Sequence, residues 1–134
     1  MNVTPLQMAL AAATLSNGGV RPVPRLAVSV NTPQAGWVML PVSSQPQQVF
    51  TSQAAARTIL ALSDGESSTW HAVAVGDKGV GYAWEANQGY AWYMGGTLTE
   101  WPGAPLAIAV ILEENDPQRV LELGHSLLQA AMHP

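Results

Sequence analysis

Leu106-Ala107-Ile108-Ala109-Val110-Ile111-Leu112-Glu113 is the stretch on which the fold turns. An unbroken apolar run without Pro or Gly, closed by an acidic residue, is the pattern of a strand covered on both faces, and a central place in a sheet is expected for it. Upstream, Gly89–Gly96 and Thr69–Val75 read as two more strands, with Asn87-Gln88-Gly89 and Trp101-Pro102-Gly103 supplying turns. A parallel crossover takes about a dozen residues or more and usually a helix, so short links favour an antiparallel meander.

Helix signals flank the three strands. Thr4-Pro5-Leu6-Gln7 combines a capping hydroxyl, a Pro suited to the first turn and a Gln three residues after the cap. Leu6, Leu10 and Ala13 then fall on one face, Ala11 to Ala13 allow close approach, and Asn17-Gly18-Gly19 stops the helix. A second helix is expected from Thr51 or Ser52 to Leu62, burying Ala55, Ile59 and Leu62. Asp116-Pro117 opens a third, whose apolar face would hold Val120, Leu121, Leu127, Leu128 and Ala131, with Gly124 permitting tight contact with the sheet. Between the first two helices, residues 21–50 read as irregular chain with a peripheral hairpin of Arg25–Val30 and Trp37–Pro41. The expected fold class is therefore α+β, an antiparallel sheet of at least three strands with helices packed on its faces, and residues 1–134 are expected to form one domain.

Composition excludes several function classes. Hydrophobic residues make up 48% of the chain and charged residues 10%, a thin coat that points to apolar surface meeting a partner or a further segment. Net charge is −4, and Arg21, Arg25, Arg57, Lys78 and Arg119 are too scattered to make a phosphate-binding stripe, so neither nucleic acid nor electrostatic attachment to a membrane is expected. Without cysteine there is no disulfide, thiolate nucleophile or Cys-based zinc site. Neither an export signal nor a membrane span is read in the chain.

Serine acyl transfer needs a base beside the nucleophile, and in the serine–lysine arrangement the two lie one helical turn apart as S-x-x-K. The sole lysine, Lys78, has Val75 three residues before it, so the motif is absent. Ser29-Val30-Asn31 matches S-x-N, but three letters match easily by chance. His71, His125 and His133 have no metal-ligand spacing, so no metal and no cofactor are expected. Gly79-Val80-Gly81 and Gly95-Gly96 extend to no phosphate-binding motif. Trp37, Trp70, Trp84, Trp92 and Trp101 offer a stacking platform for sugars or peptides, against the plainer reading that most of them fill the core and its rim.

Three stretches carry a family resemblance. Val3-Thr4-Pro5-Leu6-Gln7-Met8-Ala9 with Leu15-Ser16-Asn17-Gly18-Gly19-Val20 resembles the helix that follows the first two active-site motifs of penicillin-binding-protein transpeptidases. Ala91-Trp92-Tyr93-Met94-Gly95 resembles their aromatic-rich fourth strand, and Pro105 to Glu113 their fifth. The resemblance covers about residues 3–20 and 51–132 and implies the C-terminal part of the transpeptidase domain. It also implies an extracytoplasmic place in the cell envelope.

The family's third motif, K-[ST]-G-T, would fall at Gly76-Asp77-Lys78-Gly79. Aligned on the two glycines, its lysine becomes Asp77 and its hydroxyl Lys78, so the group that holds a substrate carboxylate is replaced by an acid. In water at contact distance that repulsion is about 1 kcal/mol, and more where buried. Shifting the frame by one keeps Lys78 but puts Gly79 at the hydroxyl and Val80 at the glycine. With S-x-x-K absent as well, no catalytic residue is assigned, and the expected role is structural or binding, in peptidoglycan assembly. An active transpeptidase completed by an upstream part and a small glycan- or peptide-binding module are the alternatives. Expected partners are an upstream part, another cell-wall protein, or a second copy paired through an exposed sheet edge.

Overall fold

Thr4 and Gln7 close a capping box: Gln7 N donates to Thr4 Oγ1 at 3.2 Å and Thr4 N to Gln7 Oε1 at 2.8 Å. This starts the first helix of a computed structural model that describes residues 3–63, 65, 68–76 and 89–133. The elements run α1 (Pro5–Ser16), β1 (Val20–Arg21), β2 (Ser29–Thr32), β3 (Gly36–Met39), β4 (Gln47–Gln48), α2 (Ser52–Leu62), β5 (Thr69–Gly76), β6 (Tyr90–Thr97), β7 (Ala107–Leu112) and α3 (Pro117–Met132). Helix α1 ends where Gly18 and Gly19 take positive φ, which a side chain would strain. The Gly19 carbonyl then accepts from Val49 and Phe50, tying the far end of the irregular segment to the helix exit.

Strands β5, β6 and β7 form an antiparallel sheet in that order. The class is α+β as expected, but the central strand is β6, and β7 lies at an edge among the described residues. The apolar run of β7 records that helices α1 and α3 cover both its faces, which says nothing of what pairs with its backbone. Strand β6 takes the centre with two glycines, because its neighbours need the room: a Cβ on Gly96 would collide with Ser16 Oγ, and one on Gly95 with the Tyr93 phenol.

Alternation along the strands divides the core in two. Trp70, Met94 and Ala107 point to the side where Ala12 of α1 and Ile59 of α2 complete one cluster. Ala91, Tyr93, Val73, Ile108 and Val110 point to the other, under Val120 of α3. The helix faces are narrower than expected. Leu6 of α1 is exposed, and the buried positions near the sheet are Ala12 and Ser16, small residues that let the helix settle closely. In α3 the buried stripe is Val120, Gly124, Leu128 and Met132, one residue per turn, while Leu127 and Ala131 face solvent. A Cβ at Gly124 would enter the ring of Tyr93, so glycine sets the distance between α3 and the sheet. Helix α2 buries Ala55 and Ile59 as expected.

The peripheral hairpin exists, shifted by a few residues. Strands β2 and β3 pair with Ser29 opposite Met39 and Thr32 opposite Gly36, so Asn31 and Thr32 belong to the strand instead of to the turn. The two-residue pairing of β1 with β4 had no recognisable signal in residues 21–50.

Candidate functional site

Gly76 ends β5, and a Cβ there would meet the Tyr90 ring, so the two strands are closely packed at that end. Asp77, Lys78 and Gly79, the remaining third-motif positions, lie outside the described residues, as does Trp84. Ser29 and Asn31 of the S-x-N match share β2, opposite Met39 and Trp37, neither of which is a base. Among the described residues no three His, Asp or Glu side chains converge as a metal site would require. His125 is exposed and lies 3.3 Å from the Gln129 amide, and the His133 ring stands edge-on to Trp101 at 6.1 Å.

A cleft of about 250 Å³ opens between the end of α1 and the end of β6, lined by Ser16, Asn17, Gly18, Thr97, Thr99 and Trp101 among others. Several of its polar groups are engaged. Trp70 Nε1 donates to Ser16 Oγ at 2.9 Å, Leu106 N to Thr97 Oγ1 at 3.1 Å, and Asn17 Nδ2 to the Val20 carbonyl at 3.0 Å. Ser16 is thus an acceptor for an indole, with no base to activate it, and the cleft has the chemistry of a structural joint. Tryptophans do not gather there: Trp70 and Trp92 are buried, Trp101 is half-buried, and Trp37 stands on the hairpin.

On the opposite face of the sheet the His71 ring stacks on Tyr93, centroids 5.9 Å apart and planes 12° from parallel. Burial pushes the Tyr93 phenol up to about 12, so at neutral pH it is a neutral core residue. Sequence reading left His71 as a lone strand histidine; the stacking partner follows from the register that sets His71 opposite Gly95, whose missing side chain leaves room for the ring.

No protein-family model and no curated protein matches the sequence. Solved structures do. Penicillin-binding protein A of Mycobacterium tuberculosis aligns over 98% of this chain with a TM-score of 0.77 and 22% identity. The fold is that of part of a penicillin-binding protein. The aligned region is 33% of that protein's chain, so this chain spans about a third of its structural relative. The imipenem acyl-enzyme complex of the same mycobacterial protein aligns equally well, at a TM-score of 0.77 and 22% identity over 98% of this chain and 31% of that one. A peptidoglycan synthetase from Bifidobacterium adolescentis aligns over 98% of this chain and 27% of its own, with a TM-score of 0.62 and 16% identity. The expected C-terminal transpeptidase half is consistent with this penicillin-binding fold, with β5, β6 and β7 as its sheet.

Proposed function

We propose that residues 1–134 act as a non-catalytic, partial transpeptidase-like domain with a structural or binding role in peptidoglycan assembly, on the extracytoplasmic side of the cell envelope. What supports this reading is a penicillin-binding fold joined to a third-motif stretch that is degenerate in either frame: aligned on Gly76 and Gly79, Asp77 and Lys78 take the places of the lysine and hydroxyl, and shifted by one, Gly79 and Val80 take those of the hydroxyl and glycine. Its partner is the remainder of such a domain, or another cell-wall protein, pairing along β7. That strand is apolar throughout and covered on both faces by helices, yet among the described residues no strand pairs with its outer edge.

The competing reading is a fragment of an active peptidoglycan D,D-transpeptidase. It is favoured by the chain's spanning a third of a protein whose structure is known as an acyl-enzyme. Fluorescent penicillin separates the two. The chain alone, and the chain co-expressed with an upstream segment that carries S-x-x-K, are expected to show no label that survives denaturation. Covalent label on the chain alone overturns the non-catalytic reading outright, and label dependent on the upstream segment and lost in a Lys78→Ala variant establishes the competing one.

A further inference from the structure

We propose that the β2–β3 hairpin is a membrane-contact element that inserts shallowly into the headgroup region of an anionic lipid bilayer. The inference does not depend on the transpeptidase reading. Residues directly opposite in an antiparallel pair share a face, so Val30 and Val38 lie together, with Val28 and Leu40 extending the same row through the bond from Leu40 N to the Val28 carbonyl. All four are exposed. The other face carries Trp37 and Met39, exposed at 74% and 70%. A two-stranded hairpin has no second layer of its own to bury either face. A docked protein surface would cover one face, whereas an apolar medium that surrounds the hairpin covers both.

Charge is arranged to match. From Leu26 to Ala56 the sequence holds no charged residue, and from Met1 to Ser63 it holds no Asp or Glu. Of the three cations of this half, Arg57 lies on α2, and the other two stand at the base of the hairpin or before it: Arg25 Nη2 donates to the Leu40 carbonyl at 2.8 Å and Arg21 Nη2 to Gln47 Oε1 at 3.0 Å. Both are bonded to neutral oxygens, which leaves their charge available to lipid phosphates. An uncharged tip of Thr32 to Gly36, an indole on the flank and Arg25 at the base are the order that a headgroup region favours from inside to outside. The outer edges of a two-stranded hairpin expose backbone N–H and C=O groups, which hydrocarbon does not tolerate, so the element stays at the interface and spans nothing. Scattered in sequence, these basic residues gave no sign of a membrane role; the fold sets Arg25 against the base of the apolar hairpin, with Arg21 four residues before it on β1.

The test is cosedimentation of the full 134-residue chain with vesicles of phosphatidylcholine alone and of phosphatidylcholine with phosphatidylglycerol. The chain is expected to pellet with the anionic vesicles. The W37S/M39S variant, altered only at exposed positions and checked by circular dichroism, is expected to partition about tenfold more weakly. R21Q/R25Q is expected to lose about fivefold per arginine, on anionic vesicles only. A chain that stays in the supernatant with both vesicles, or variants that pellet as the parent does, overturns the proposal. If the chain ignores vesicles while W37S/M39S abolishes a dimer seen by sedimentation velocity, the hairpin is a contact between copies and the lipid proposal fails.

Discussion

Trp70 Nε1 donates to Ser16 Oγ at 2.9 Å in a fully buried bond that joins β5 to the last turn of α1 across 54 residues of sequence. The bond matters because Trp70 is fully buried and Ser16 only 5% exposed, so the indole N–H has little access to water. Removing the acceptor leaves an indole N–H stranded in the core, which costs about 1–3 kcal/mol.

Ser16→Ala is therefore expected to lower unfolding free energy by that amount, measured by denaturant titration. Trp70→Phe in the Ser16→Ala background removes the stranded donor. The double variant is expected to fall short of the sum of the two single losses by about 1 kcal/mol. Strict additivity would mean the bond adds nothing.

Gly124 and Tyr93 set the second joint, between α3 and the sheet. Alanine in mid-helix is intrinsically better than glycine by up to about 1 kcal/mol. Here its methyl would enter the Tyr93 ring, and overpacking of that kind costs about 1–3 kcal/mol, so Gly124→Ala is expected to destabilise on balance. Replacing the ring by Tyr93→Leu is expected to make Gly124→Ala neutral or favourable, read from thermal unfolding of the four variants.

These two joints show where sequence reading worked and where it stopped. The capped starts of α1 and α3 were legible because Thr4 with Gln7, and Asp116 before Pro117, are local chemistry; Asp116 Oδ1 accepts from Arg119 N at 2.9 Å as the motif requires. The three strands were legible from their runs of apolar and aromatic residues. The rank of β6 over β7 was not, because hydrophobicity reports coverage of a strand's faces and is silent about its edges. Leu6 and Leu127 misled for a related reason: helix periodicity gives a stripe, and which residues of a wide stripe meet the sheet depends on glycines and small residues on the partner strand. At the candidate site, the reading of Asp77, Lys78 and Gly79 stands on sequence alone, since these residues lie outside the described ones.

Tyr93 makes stability depend on pH at the alkaline end. Its phenol is pushed from 10.0 to about 12 by burial, so the folded state holds its proton where the unfolded chain releases it. Stability then falls as pH rises wherever the unfolded state binds fewer protons. The contribution is complete below pH 10 and is lost between 10 and about 12. The stability difference between the parent chain and Tyr93→Phe is expected to be flat below that window and to shrink across it. A difference that stays constant to pH 12 contradicts the burial of this phenol.

The edge of β7 gives a prediction at single-amide resolution. Thr97 N donates to the Leu106 carbonyl, and Leu98 N to the Ser68 carbonyl, so odd-numbered residues of β6 bond to β7 and even-numbered ones to β5. On β7 the even-numbered positions then point back to β6, and the amides of Ala107, Ala109 and Ile111 face outward. In the isolated, monomeric chain these three are expected to exchange with deuterium much faster than those of Ile108 and Val110, although all five residues sit on one apolar strand between two helices. Addition of the partner that completes the sheet, or concentration that drives pairing of two copies, is expected to slow the outward three selectively and leave the inward two unchanged. Slow exchange at Ala109 and Ile111 in dilute monomer would show that the edge is already closed, and the proposed pairing along β7 would lose its site.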